Sequence, residues 1–108
     1  MYEKNAQQSP AIADHEAAIF AAELGEAPEI DLHGLTTEEA INRLETFLHH
    51  EFMHGTETVK IIHGRGEEIL RKAVQKTLTG HPLVEYSRGS NNPKQAGAVT
   101  FAVLARKG

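Results

Sequence analysis

Two short segments hold matching positions about thirty residues apart: Asp31-Leu32-His33-Gly34 and His63-Gly64-Arg65-Gly66. Each closes a run of strand type, Glu29 to Leu32 in the first case and Thr58 to Ile62 in the second. Each precedes an amphipathic helical pattern. Strand, crossover helix and second strand in this order make a parallel βαβ unit, with the carboxyl ends of both strands at one edge of the sheet. Ligands of open α/β sheets bind outside those ends. An acid, two imidazoles, an arginine and a glycine turn are therefore expected to converge on one spot.

The remaining elements follow from pattern. Pro10 opens a helix through about Leu24 with a partial apolar stripe of Ile12, Ala17, Ile19, Phe20 and Leu24, ended by Gly25 and Pro28. It reads as an extension that packs on the domain or on a partner. Thr36-Thr37-Glu38-Glu39 spells a capping box, and Leu35 can staple onto Ala40. Ile41, Leu44, Phe47, Leu48 and Phe52 keep helical spacing up to Gly55. A further helix carries Ile69, Leu70, Ala73, Val74 and Leu78. Strands are expected over Leu83 to Ser87 and Ala98 to Ala105, joined by a polar loop from Arg88 to Gly97. The order βαβαββ predicts an α/β two-layer sandwich: a mixed four-stranded sheet with two helices on one face, plus the N-terminal helical extension. Residues 1–27 form that extension, disordered over 1–9 and then helical, and 28–108 the domain.

With 108 residues the chain supports one modest core, and the absence of cysteine removes disulfides, thiolate metal sites and a cysteine nucleophile. It suits a cytoplasmic protein. No signal peptide or membrane-length apolar run is evident. The net charge of −4 conceals an asymmetry: residues 1–57 hold two cations and twelve acids, residues 58–108 nine cations and three acids. Phosphate contacts depend on local basic surface more than on the total, and the basic half contains the second motif.

Asp31 and His33 project to one side of a strand, where the acid can fix the imidazole's tautomer and raise its basicity, or help hold a divalent ion. The competing reading is a polar strand end that ties down its own turn. In the second motif, Gly64 and Gly66 permit a tight turn, the following helix N-terminus favours an anion, and Arg65 can grip a phosphate in bidentate fashion. Glu67 and Glu68 oppose an anion there and suit the helix dipole instead. His50-Glu51-Phe52-Met53-His54 also fits H-E-x-x-H, the helix of zinc proteases. With seven His in this composition chance supplies such a match in about one shuffle of twenty. Gly55 ends the helix at once and Phe52 is needed for the core, so this reads as a solvated helix end.

Taken together, Asp31-Leu32-His33-Gly34, the capped helix after it, His63-Gly64-Arg65-Gly66 and the closing Gly97-Ala98-Val99-Thr100-Phe101-Ala102-Val103-Leu104 resemble a small MutS-related (Smr) domain, of the free-standing bacterial type, over about residues 29–106. The resemblance implies a fold similar to the C-terminal domain of translation initiation factor three. It also implies nucleic-acid binding, often with endonuclease activity. The family's Asp-x-His pair falls on Asp31 and His33, and its glycine motif on His63, Gly64 and Gly66. The chain departs from the family in Asn91-Asn92-Pro93-Lys94-Gln95-Ala96, where relatives carry several glycines. A ribosome or repair-protein partner is a further implication of the resemblance.

The resulting expectation is an endonuclease that cleaves phosphodiesters in RNA or in nicked or branched DNA. His33 is general base or acid, oriented by Asp31, and His63 is a second acid–base partner. Gly64, Arg65, Gly66 and the amides up to Glu67 bind phosphate, while Lys60, Arg88 and Lys94 contact the nucleic acid. RNA needs no metal, because its 2′-hydroxyl is an internal nucleophile. DNA cleavage favours a divalent ion such as magnesium or manganese on Asp31. The alternatives are a non-catalytic nucleic-acid-binding module and a protein-interaction domain docked through the acidic half.

Overall fold

The computed structural model describes residues 10–66 and 68–107, in the order α1 (Pro10–Leu24), β1 (Glu29–Asp31), α2 (Thr37–Met53), β2 (Thr58–Ile62), α3 (Glu68–Leu78), β3 (Val84–Gly89) and β4 (Val99–Leu104). The expected disorder of residues 1–9 lies outside the described residues. The capping box forms as spelled: the Glu39 amide donates to Thr36 Oγ1, and the Thr36 amide donates to Glu39 Oε1, each at 3.1 Å. Gly55, at φ 76°, follows the last turn of α2.

The sheet runs β1-β2-β4-β3. β1 is parallel to β2, with Asp31 beside Ile62, and β4 is antiparallel to both of its neighbours. The α2 crossover makes the first pair parallel. Every residue of β4 is buried, because its two alternating sets face two different cores. Ala102 and Leu104 join Leu32, Val59 and Ile61 beneath Leu44 and Leu48 of α2 and Leu70, Val74 and Leu78 of α3. Val99, Phe101 and Val103 pack against Ile19 of α1 on the opposite face.

The expected sheet and helix layers are thus present, and α1 adds a third layer. The physical reason is the apolar second face of β4, which needs a cover. Ile19 supplies it at 0% exposure, and burying such a side chain contributes about 1.5–3 kcal/mol. β3 starts and ends later than expected, with a bulge between Val84 and Tyr86, so Arg88 and Gly89 belong to the strand rather than to the loop. Among the described residues no helix is long and apolar enough to cross a membrane.

Candidate functional site

The ends of β1 and β2 are neighbours, and the Leu32 amide extends the pairing by donating to the Ile62 carbonyl at 2.7 Å. Leu32 is fully buried, so strand alternation sends Asp31 to the opposite face and leaves His33 just beyond the tip. Asp31 Oδ1 accepts from the His33 backbone amide at 3.1 Å and lies 2.6 Å from His33 Nδ1. Both side chains are accessible, at 51% and 64%. The hydrogen bond from the His33 ring holds the Asp31 carboxyl below the ordinary carboxylate range, and the backbone bond adds to this. Gly34, at φ 84°, then turns the chain toward the α2 cap, a conformation suited to glycine.

The second turn is anchored to the sheet. The amides of His63 and Gly64 both donate to the Ala98 carbonyl, at 3.0 and 3.1 Å. Gly64 and Gly66 have φ of 97° and 85°. The Gly64 amide is therefore spent on the fold, which corrects its expected part in a phosphate cradle. The amide of Glu67 lies outside the described residues.

The His63 ring does not reach the open site. It is 1% exposed, points with Ile61 and Thr100 toward the α2–α3 layer, and has Nε2 2.9 Å from Thr100 Oγ1. Nδ1 is buried with no hydrogen-bond partner among the described residues. Burial lowers its pKa, the Gly64 backbone opposes this, and the Arg71 charge adds to the lowering. A buried, neutral imidazole suits a structural role rather than the expected role as a second proton-transfer group.

The cations divide. Arg65 Nη2 donates to the carbonyls of Lys94 at 2.9 Å and Ala96 at 3.4 Å, so it tethers the β3–β4 loop to the glycine turn. This brings Lys94, itself exposed, to the same end of the sheet. The loop is ordered by its own bonds: the Lys94 amide donates to Asn92 Oδ1, and the Asn92 amide to Ser90 Oγ. Lys60 lies lower on the sheet face, 3.8 Å from Glu29. Arg88 sits on the far edge strand, where its Nε donates to both Glu16 oxygens at 2.8 and 2.9 Å. Glu16 also accepts from the Tyr86 hydroxyl. Arg88 is thereby built into the α1 contact, and the structure does not bring it to the strand tips.

Sequence reading missed Thr100 as the partner of His63 and the Glu16 carboxylate that holds Arg88, 72 residues away. Neither leaves a local signal, since each pairing depends on sheet order. At the end of α2, Glu51 accepts from Thr56 at 2.6 Å and His54 Nδ1 lies 2.9 Å from the His50 carbonyl, which gives the H-E-x-x-H residues capping work. Among the described residues no three His, Cys, Asp or Glu side chains group as a metal site. Asp31 is the accessible carboxylate at the strand tips that could share a divalent ion with a substrate phosphate.

These features define a class: a small α/β domain with an accessible acid–imidazole pair at the tips of a parallel strand pair. Comparison with known proteins narrows it. The family described as the Smr domain matches residues 30–104, and the chain belongs to that family. It is 41% identical to the endonuclease MutS2 of Symbiobacterium thermophilum over 78 residues, 72% of this chain and 10% of that protein. It is 40% identical to that of Staphylococcus epidermidis over 76 residues, 70% of this chain and 10% of that protein. The chain thus spans about a tenth of the length of the curated relatives it matches. Among solved structures, the Smr domain of Thermus thermophilus MutS2 superposes with TM-score 0.70 at 29% identity, covering 73% of this chain and 99% of that one. The Smr domain of NEDD4-binding protein 2 gives 0.56 at 25% identity, with 78% and 92% covered.

Proposed function

We propose that the tips of β1 and β2 bind nucleic acid and cleave its phosphodiester backbone, in RNA or in nicked or branched DNA. The observation that carries this reading is the 2.6 Å contact between Asp31 and His33 on an accessible strand end. The endonuclease relatives of the same family support it. Nδ1 faces Asp31, so proton transfer falls to Nε2. This nitrogen takes the proton from the attacking oxygen, the 2′-hydroxyl in RNA or water in DNA, as the new P–O bond forms and the P–O bond to the departing sugar breaks; the departing oxygen takes a proton from solvent, while Asp31 keeps the tautomer and steadies the imidazolium. Lys94 and the outer edge of Arg65 supply positive charge to the phosphate. His63 acts as a positioning residue, joining the glycine turn to β4 through Thr100. On the DNA route Asp31 would hold a divalent ion together with the substrate phosphate, where the ion would supply charge to activate water; the steps at His33 and Asp31 use the side chains alone.

One observation favours a second reading, a module that binds without cutting: burial of His63 leaves His33 as the one accessible imidazole at the tips among the described residues. The two separate in one assay. Labelled RNA and nicked plasmid DNA are incubated with the wild type, Asp31→Ala and His33→Ala, with and without EDTA. Cleavage lost in both variants supports the nuclease. Salt-sensitive binding without cleavage by any of the three supports the module. Absence of binding at low salt refutes both.

A further inference from the structure

Helix α1 lies outside the matched family region, and its exposed side is unusual. Its inner side is accounted for by Ile19, Ala18 and Ala22 on the sheet. Its charged groups sit on the flanks, Glu16 and Glu23 toward Arg88. Asp14 lies on the other flank, beside a cavity that Arg106 and Lys107 also line. What remains outward is Ala13, Ala17, Phe20, Ala21 and Leu24, all exposed and all apolar. At the helical repeat these five fall within an arc of about 100°. Phe20 is 59% and Leu24 72% exposed. A helix at the surface of a monomer ordinarily turns polar residues to that side.

We infer that this stripe is the contact of a symmetric dimer, in which α1 packs antiparallel against α1 of a second copy. The stripe is self-complementary. Residues 13, 17, 20 and 24 keep the four-three-four spacing of a helix–helix seam, with small side chains in the first half and large ones in the second. Antiparallel pairing about a two-fold axis between residues 18 and 19 sets Phe20 against the other copy's Ala17, and Leu24 against its Ala13. Parallel pairing would stack Ala on Ala and Phe on Phe, leaving gaps and clashes. The helix dipoles also oppose favourably. The Glu16–Arg88–Glu23 flanks meet their own kind across the axis, and Arg88 offsets one of the two carboxylate charges there, so this flank adds a screened like-charge repulsion and the apolar stripe alone drives the contact. A cavity beside Phe20 and Leu24, rimmed by Arg88, Asn91 and Asn92, widens the surface.

The helix is 15 residues long, so the stripe covers on the order of 400 Å² per copy, about half of a standard interface. The expected dimer is therefore weak and concentration-dependent. Sedimentation equilibrium of the whole chain, from about 10 µM to about 500 µM, tests it. The mass should rise from 11.9 kDa toward twice that value. Phe20→Glu and, separately, Ala17→Glu should weaken association by about tenfold or more while circular dichroism stays unchanged. Because the chain has no cysteine, orientation is read by cross-linking: a mixture of Ala13→Cys and Leu24→Cys proteins should link more than either alone. A wild type monomeric throughout, association untouched by both glutamate variants, preferential links between like positions, or a monomer that instead binds lipid vesicles would each overturn the inference.

Discussion

Replacing Asp31 by Asn separates stability from chemistry at the strand tips. Asp31 and His33 are 2.6 Å apart, but their side chains are 51% and 64% accessible. Contacts between such exposed groups contribute only about 0–1 kcal/mol to folding. For a domain of this size the melting temperature should then move by no more than about 5 °C. The rate should respond far more strongly. Asparagine keeps the shape but removes the charge that steadies the imidazolium, and its amide can select the wrong tautomer. Loss of an oriented acid–base pair lowers rates by about 10² to 10⁴, equivalent to about 3–5 kcal/mol of barrier. Single-turnover cleavage of labelled RNA and nicked DNA, alongside calorimetric melting, measures both quantities on one preparation. Wild-type cleavage that Asp31→Asn leaves within about threefold would refute the assigned role. So would a rate loss that merely tracks a large drop in melting temperature.

The interior gives three further expectations. Thr100→Val strands the buried His63 Nε2 and should destabilise the fold by about 1–3 kcal/mol in urea titration, whereas a change too small to resolve would mean that the contact contributes nothing. Ile19→Ala, at a fully buried position, should cost about 2–5 kcal/mol if α1 is an integral layer, and a neutral result would show α1 to be dispensable. The pKa of His63 is lowered from 6.5, so the unfolded chain takes up a proton that the folded chain excludes. Its contribution is complete above that value and is lost as pH falls below it. Stability should therefore drop between about pH 7.5 and 5.5 more steeply in the wild type than in His63→Gln, and identical slopes would exclude His63 as the source.

The parallel βαβ unit was legible because its signals are local. A capping box, a β-branched run and two glycine turns each specify their own few residues, and Leu32 fixes the outward direction of Asp31. The limits appear at His63 and Arg88. Both look available in the sequence, as an imidazole and a guanidinium beside glycines. Their fates are set by residues 37 and 72 positions away, Thr100 and Glu16, which only the placement of β4 between β2 and β3 and of α1 across the second face brings near. The third layer had a trace in β4, where Val99, Phe101 and Val103 make the strand apolar on both sides. A helix apolar on its outer side as well as its inner one did not announce which side would dock.

The central claim is that the tips of β1 and β2 are where nucleic acid binds. Its most direct test is titration of the isotopically labelled protein with a short single-stranded RNA that carries a non-cleavable linkage, followed by backbone amide chemical shifts. The account predicts that the largest changes fall on Asp31 to Gly34, on Gly64 to Gly66 and on the loop around Lys94, and that they weaken as salt rises. Changes confined to α1, or to the His50–His54 end of α2, with residues 31–34 and 64–66 unmoved, would contradict it.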